Sequence, residues 1–428
     1  MARFHNLNDW LTWQENLHST EIDMGLERVY QVALKLDLIR SPSAISHDYS
    51  GELCSKQTVI TVAGTNGKGS CIATLEQMLV AQHYQVGSYT SPHLQHYCER
   101  ICINGLPVSE GKVCDAFAAI DQARGNISLT YFEFGTLAAL WVFAQAKLDY
   151  VLLEVGLGGR LDAVNIVDTD VAVITSIDID HQDWLGDNRD IISAEKLGIA
   201  RATRPLIIAE TALTPHLQMA IETYSAHVVG QRYSYRPIDR HSWYFVIGDR
   251  QLKLVMPSLA LPSVAAALYV LTLLDKVPEN PDRLMSKLSM SGRFECVLIN
   301  NISVIYDVAH NPAAALLLSK RLHESPIQGK TIAVVAMMRD KDIEAVIACL
   351  AGAIEQWYIG GLTQTARAAT VAELIPVLEQ HQQVFTASDT IEAAFQAALT
   401  AVEPHDRIIV FGSFFTVAAV KAIANNID

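Results

Sequence analysis

The run Val59-Ile60-Thr61-Val62-Ala63-Gly64-Thr65-Asn66-Gly67-Lys68-Gly69-Ser70 constrains this chain more than any other stretch. A β-branched strand passes into a glycine turn, and the turn into a helical pattern carrying Ala73, Leu75, Met78 and Leu79. Glycine lets the backbone turn tightly and aim its N–H groups at a polyphosphate. The helix N-terminus adds a favourable partial charge, Lys68 reaches the terminal phosphates, and Ser70 is placed to ligate Mg²⁺. The strict spacing G-x-x-x-x-G-K-[ST] is not met. Gly64 lies only three residues before Gly67, and Gly69 separates Lys68 from Ser70. The signal points to a nucleotide and is silent about what is done with it.

Short β-branched runs alternate with helical patterns on either side of this loop, as in a parallel sheet covered by helices. Strands are predicted at 58–63, 86–89, 150–155, 171–177 and 205–209. Between them, 132–146 repeats Phe134, Leu137, Leu140, Trp141 and Ala144 at helix spacing, a stripe for the core. From 228 to 257 the pattern changes to short alternating strands, 243–247 and 252–255, with Gly248-Asp249 as a hairpin turn. A helix is predicted over 264–274, and the turn-rich 277–282 approaches a domain boundary. A second alternating series follows, with strands at 303–306, 331–335, 356–359, 384–386 and 407–411. The expected domains are 1–290 and 291–428.

Length and charge narrow the function. At 428 residues, half of them apolar, the chain has material for at least two cores. Lysine plus arginine is 32 against 46 acidic residues, a net charge of −14. That is a poor balance for neutralising nucleic-acid phosphates or docking on an anionic membrane. Seven cysteines with no CxxC pair read as reduced thiols, and no paired Cys or His cluster completes a zinc site. The start MARFHNLNDW lacks a basic segment followed by an apolar one, and the apolar stretch 259–274 is interrupted by Pro262 and Ser263. A soluble cytoplasmic protein is expected.

In an open α/β sheet, ligands bind beyond the carboxyl ends of the strands. Strand 150–155 delivers Glu154, followed by Gly156-Leu157-Gly158-Gly159-Arg160-Leu161-Asp162. Glu154 suits a hard Mg²⁺ ion bridging phosphates. Strand 171–177 delivers Asp178, Asp180, His181 and Asp183. Alone, His181 reads as a capping or core histidine, and its place at the same sheet edge as the phosphate loop makes a ligand role an equal alternative; the three aspartates read as a solvated acidic loop. Lys196 alone reads as a surface lysine, and Asp340, Lys341 and Asp342 as a solvated charged turn.

Taken together, Gly64–Ser70, Thr90-Ser91-Pro92-His93-Leu94, Glu154 to Asp162, Asp180-His181 and Glu195-Lys196 resemble the Mur ligase superfamily. Gly25-Leu26-Glu27-Arg28, Leu129-Thr130-Tyr131-Phe132-Glu133, Ser291-Gly292-Arg293-Phe294 and Asp307-Val308-Ala309-His310-Asn311-Pro312 extend the match over nearly the whole chain. They resemble the bacterial bifunctional dihydrofolate and folylpolyglutamate synthases within that superfamily. The implied fold is an N-terminal P-loop ATPase domain with a mostly parallel sheet and a small β-rich segment. A smaller Rossmann-like α/β domain would follow.

The resemblance implies ATP-dependent amide-bond formation. The γ-phosphate goes to a carboxylate, the amine of L-glutamate attacks the acyl phosphate, and phosphate leaves. Acceptors would be dihydropteroate, tetrahydrofolate and its polyglutamates, with two Mg²⁺ ions and Lys68 neutralising charge. Position by position, Gly64, Thr65, Asn66, Gly67, Lys68, Gly69, Ser70, Ser263, Arg293 and Asp307 correspond to ATP contacts. Ser91, Glu154 and His181 correspond to metal ligands. Lys196 matches a lysine carbamylated in this family, and that reaction needs a neutral amine, so the site must depress its pKa. Gly25, Leu26, Glu27 and Arg28, Thr130, Tyr131, Phe132 and Glu133, and Leu161, Asp162 and Ala163 match segments around the pterin.

Two positions depart from the pattern. Leu261-Pro262-Ser263-Val264 replaces a Pro-Asn-Ala-type turn, so Ser263 stands where an adenine-contacting asparagine is usual. Gly412-Ser413-Phe414-Phe415 lacks the usual histidine at its last position. The expectation is a monomeric enzyme without nucleic-acid or membrane partners. The alternatives are another Mur-type amide ligase and a non-catalytic nucleotide-binding protein. The loop begins as early as Gly64, which leaves little room for the extra N-terminal domain of the peptidoglycan-type ligases.

Overall fold

Eight strands form the main sheet in the computed structural model, which describes residues 2–40, 49–363 and 365–425. The chain divides into two units, Met1–Leu288 and Ser289–Asp428. The strands of the first unit are β1 Thr58–Ala63, β2 Val86–Tyr89, β3 Ile101–Ile103, β4 Leu106–Pro107, β5 Tyr150–Glu154, β6 Val171–Ile174, β7 Leu206–Ile208 and β8 His227–Val228. Their order is β4-β3-β2-β5-β1-β6-β7-β8. The six from β2 to β8 are parallel, and β3 and β4 form an antiparallel edge.

The chain leaves β1 toward β2 on one side and later crosses from β5 to β6 on the other. This topological switch opens a crevice at the carboxyl ends of the strands. Register sets what meets there: Val62 pairs with Glu154, and Ala63 with Ile174. The residues just beyond, Gly64, Val155 and Thr175, therefore leave the sheet side by side.

β6 stops three residues short of its predicted end. Thr175 and Ser176 turn their hydroxyls to the Asn66 carbonyl, at 2.7 and 3.1 Å, and no longer extend the ladder. The helix Tyr131–Ala144 starts at a capping box in which Thr130 and Glu133 bond each other's backbone N–H. Phe134, Leu137 and Leu140 are buried in the core, as their spacing predicts, whereas Trp141 is half-buried and Ala144 is exposed at the end of the helix. The helix Leu261–Leu273 begins earlier than predicted because Pro262 falls in its first turn, where a missing N–H costs nothing. Val264, Leu268 and Leu271 are buried. No helix of the described residues is long and apolar enough to cross a membrane.

A separate antiparallel sheet holds β9 Ser234–Pro237, β10 Ser242–Ile247 and β11 Arg250–Val255. Gly248-Asp249 is its two-residue turn, with Gly248 at φ +53°.

The second unit carries β12 Arg293–Ile299, β13 Ile302–Asp307, β14 Thr331–Val335, β15 Gln356–Gly361, β16 Phe385–Thr390 and β17 Arg407–Phe411. The order is β12-β13-β17-β14-β15-β16, parallel except for β12. The sequence reading omitted β12. Its hairpin turn is Asn300-Asn301, both at positive φ, a residue type that tolerates this region.

Candidate functional site

The phosphate loop is held by backbone and hydroxyl groups. Gly64 has φ +149° and Gly67 φ +85°, values that exclude ordinary side chains. The Thr65 amide donates to the Ser176 carbonyl at 2.9 Å, and the Asn66 amide to Ser176 Oγ at 2.9 Å. Thr65 Oγ1 donates to the Asp178 carbonyl and accepts from the Asp178 amide. Asp178 is thus a clamp on the loop, half-buried, where a solvated acid was expected. Lys68 Nζ lies over the loop, donating to the carbonyls of Gly64 at 2.9 Å and Thr65 at 3.3 Å. Gly69 and Ser70 are buried in the first turn of the helix Lys68–Val80. Ser263 is buried against the same loop, and a Cβ on Gly67 would come within 2.2 Å of its Oγ.

Lys196 lies beside Lys68 and is not a surface lysine. It is 4% exposed, on the helix Arg189–Leu197, and lines a cavity of about 20 Å³ with Gly64, Lys68, Gly156, Asp180 and His181. Burial and the Lys68 cation pull its ammonium down to about 7, with Asp180 and Asp162 opposing. The neutral amine that the resemblance requires is therefore abundant near neutral pH.

Glycine makes this placement possible. A Cβ on Gly159 would sit 2.7 Å from the Glu195 carbonyl and 2.9 Å from Lys196 Cα, and one on Gly198 2.4 Å from Arg160 Cα. The Arg160 amide bonds the Glu195 carbonyl at 2.8 Å, and its guanidinium pairs with the Glu195 carboxylate. Asp162 organises the rest of the loop by accepting from the amides of Gly156, Leu157 and Val164. Burial pushes its carboxyl up to about 6, against those three donors and Lys68.

A pocket of about 240 Å³ adjoins this cavity. It brings together Gly25, Ser91, Thr130, Phe132, Glu133, Leu161, Asp162, Ala163 and His181. Glu133 is buried, which raises its carboxyl pKa, and its partner is Arg28 at 3.2 Å. That ion pair joins two motifs a hundred residues apart. Leu26, Glu27 and Arg28 themselves line a larger neighbouring cleft of about 840 Å³ with Leu197 and Met219. Tyr131 faces Tyr97 instead, with ring centroids 5.8 Å apart.

Ser91, Glu154 and His181 offer a hydroxyl, a carboxylate and an imidazole. Glu154 is 4% exposed and accepts from the Ser91 amide at 3.2 Å. His181 is exposed, at φ +54°, ahead of the short helix Gln182–Leu185. No group of three or more His, Cys, Asp or Glu side chains suited to a metal occurs among the described residues. One buried carboxylate with a few neutral donors still fits Mg²⁺, which keeps most of its positions for water and phosphate oxygens.

In the second unit, Arg293 and Asp307 are cross-strand partners at the mouth of the β12–β13 hairpin. Asp307 accepts from the amides of Phe294 and Ala309, both at 2.9 Å. Burial raises its carboxyl pKa while Arg293 and Arg321 lower it. Arg293 lies over the Phe414 ring at 5.4 Å, and Phe415 is 56% exposed. The segment 340–342 is not wholly solvated. Lys341 is largely buried beside Asp340, and Asp342 caps the helix Ile343–Leu350.

Sequence reasoning missed the residues that hold these groups. Thr175 and Ser176 brace the loop, and Arg201 is fully buried, pairing with Asp168 at 2.5 Å and bonding Asn165. Gly159 and Gly198 were the available signal for Lys196, because two glycines flanking one lysine's helix imply close backbone approach.

Residues 62–212 match the Mur ligase middle domain, and residues 292–414 the Mur ligase, glutamate ligase domain. The dihydrofolate synthase/folylpolyglutamate synthase of Escherichia coli K12 is 42% identical over 423 residues, covering 97% of this chain and 95% of that one. Its Haemophilus influenzae counterpart is 36% identical, covering 97% of each. The solved E. coli FolC structure in complex with DHPP and ADP superposes with a TM-score of 0.89 at 41% identity, covering 99% of this chain and 98% of that one. A bifunctional folylpolyglutamate synthase/dihydrofolate synthase with Mn, AMPPNP and L-glutamate bound gives 0.87 at 41% identity, covering 98% of each. With this extent of identity along its length, the chain belongs to the bacterial dihydrofolate synthase/folylpolyglutamate synthase family of Mur-type ligases.

Proposed function

We propose that this protein is an ATP-dependent acid–amino-acid ligase that adds L-glutamate to dihydropteroate, forming dihydrofolate, and to tetrahydrofolate and its polyglutamates. The observation that carries this reading is the meeting of Lys68 with a buried Lys196, its ammonium pulled down to about 7, at the carboxyl end of the sheet and next to the pocket lined by Phe132. Relatives of the same family are named for both activities, and their structures contain ADP, AMPPNP, DHPP and L-glutamate.

A carboxylate oxygen of the acceptor attacks the γ-phosphorus of ATP, and ADP leaves with the bridging oxygen. The glutamate nitrogen attacks the acyl carbon, phosphate departs, and the amine loses its extra proton. Lys68 and the loop amides from Gly64 to Ser70 hold the phosphates, with Ser263 beneath them and Arg293 and Asp307 as nucleotide contacts from the second unit. Ser91, Glu154 and His181 are the ligands we assign to Mg²⁺, as one or two ions. Bound there, the metal supplies charge neutralisation for two anions brought together. Lys196, once carbamylated, offers a carboxylate-like group to the same centre. The acceptor ring lies among Thr130, Phe132, Glu133, Leu161, Asp162 and Ala163, with Gly25, Leu26, Glu27, Arg28 and Tyr131 shaping its surround.

We assign the ATP-binding domain with the pterin site to 1–290 and the C-terminal ligase domain to 291–428. All seven cysteines are free, in keeping with a cytoplasmic location. The test is phosphate release with ATP, Mg²⁺ and glutamate, adding dihydropteroate or tetrahydrofolate. Release with both supports the bifunctional reading. Release with tetrahydrofolate alone narrows it to a polyglutamate synthase and removes the assignment of Thr130 to Glu133. Silence with both, in folded protein, transfers the weight to another ligase substrate or to a non-catalytic role.

A further inference from the structure

Among the described residues, one cation of the pocket beside Phe132 forms no ion pair. Arg100 lines that pocket beside Pro92, Thr130 and Phe132. Its Nε donates to His93 Nδ1 at 2.8 Å, and its guanidinium lies 5.4 Å from the centre of the Tyr97 ring and 5.5 Å from that of Tyr131. The adjacent acid, Glu99, turns away and accepts from the amides of Leu94, Gln95 and His96. Arg28 shows the contrast, since Asp23 and Glu133 both pair with it. A half-buried guanidinium fixed through Nε and flanked by two rings keeps its terminal nitrogens for something else. Those donors stay open to the pocket, where a ligand acceptor can replace water with a charge-assisted hydrogen bond.

Position in the sheet says which part of a ligand reaches it. Arg100 immediately precedes β3, whereas Lys68 follows β1, and β2 and β5 lie between. Three strand spacings make about 14 Å, so Arg100 and Lys68 mark opposite ends of an extended acceptor. With the reacting carboxylate at the Lys68 end, the ring end approaches Arg100. The ring of a pterin carries a carbonyl oxygen at C4, a natural acceptor for a guanidinium fork.

We propose that Arg100 is a specificity-determining residue that donates to the 4-oxo oxygen of the acceptor's pterin ring, so that the site prefers a 4-oxo over a 4-amino ring. The proposal rests on the folate-ligase reading above. A 4-amino group offers donors to a residue that has only donors, which makes the preference a matter of repulsion as well as attraction.

The experiment uses the full chain and compares wild type, Arg100→Met and Arg100→Lys with dihydropteroate and its 4-amino analogue. Phosphate release gives the kinetics, and ligand fluorescence gives the binding. In Arg100→Met the KM and Kd for dihydropteroate should rise about 10- to 100-fold, the worth of a charge-assisted hydrogen bond. The KM for ATP should stay put, and the preference for the 4-oxo ring should collapse. Arg100→Lys keeps the charge without the fork and should fall between. An unchanged KM, or an equal loss for both ring forms, overturns the proposal, as does a parallel fall in thermal stability in both variants. Wild-type protein inactive with every folate acceptor overturns the ligase reading and this inference with it. Wild-type activity with an indifferent Arg100→Met overturns this inference alone.

Discussion

The phosphate loop and the Asp162–Lys196 region lie side by side yet are built on different principles. The loop is positioned by backbone bonds and neutral hydroxyls: Thr65 and Asn66 on Ser176, Asn66 on Thr175. Its one ionisable group, Lys68, is anchored on carbonyls of the loop itself. The neighbouring region instead buries groups that titrate, with the Asp162 carboxyl raised to about 6 and the Lys196 ammonium lowered to about 7. The first arrangement draws its braces from more than a hundred residues away, yet it is made of backbone groups and neutral hydroxyls that do not titrate. The second buries ionisable groups and is tuned near neutrality, as a lysine that must react as a free amine requires.

The largest effect expected is from Lys68→Ala. Removing the cation that meets the developing phosphate charge should lower kcat by at least about 10²- to 10³-fold, measured by phosphate release at saturating substrates. A near-normal rate would remove the loop from the chemistry and break the comparison at its first term. Next comes Gly159→Ala, which tests the second term without touching a charge. Its Cβ meets the Glu195 carbonyl and Lys196 Cα below 3 Å, so the helix carrying Lys196 must shift. We expect a loss of about 1–3 kcal/mol in denaturant unfolding, together with a clear fall in turnover. Gly111→Ala is the control: nothing lies within 4 Å of its Cβ, in the helix Glu110–Arg124, and helix propensity should stabilise it by up to about 1 kcal/mol.

The same difference explains what the sequence revealed. The loop was legible because strand, glycine turn, lysine and helix are contiguous, and local backbone geometry follows from local residue types. Sheet class and most strands were legible for the same reason. Lys196 was not, because its burial comes from Gly159 and Gly198 closing the loop onto its helix across more than thirty residues, and only family resemblance singled it out. Arg201 with Asp168 is another such case, a charge pair whose partners are separated by 33 residues and carry no local pattern. β12 was passed over although it ends in the apolar Val297-Leu298-Ile299, because what pairs it with β13 is only the short Asn300-Asn301 turn.

pH separates the two regions directly. An unfolded lysine holds its proton up to about 10.4, whereas Lys196 in the fold releases it near 7. Between those values the unfolded chain binds more protons, so this residue's contribution to stability rises with pH from about 7 to about 10.4. Below 7 the full cost of burying a charged amine is present. Lys196→Met, in CO₂-free buffer, should therefore be more stable than wild type at pH 6, with the advantage shrinking as pH climbs. Asp162 works the other way. Its folded pKa of about 6 exceeds the unfolded value of about 3.9, so the fold binds the extra proton and its contribution falls as pH rises through that window. A stability difference between Lys196→Met and wild type that does not change with pH would erase the contrast with the loop.

The smallest expected effect lies where the two construction principles meet, at Ser263. This residue is buried in the first turn of the helix Leu261–Leu273, its hydroxyl set against Gly67. The family pattern places an asparagine there, and an amide brings a paired donor and acceptor that a hydroxyl lacks. Ser263→Asn should lower the KM for ATP or leave it unchanged, since Gly67 has no Cβ and the longer side chain must extend past it toward the nucleotide. A clear rise in KM, with kcat retained, would mean that the added atoms press on Gly67 and distort the loop. The site would then read adenine by its own means, and the serine would be a packing requirement of this chain's phosphate loop.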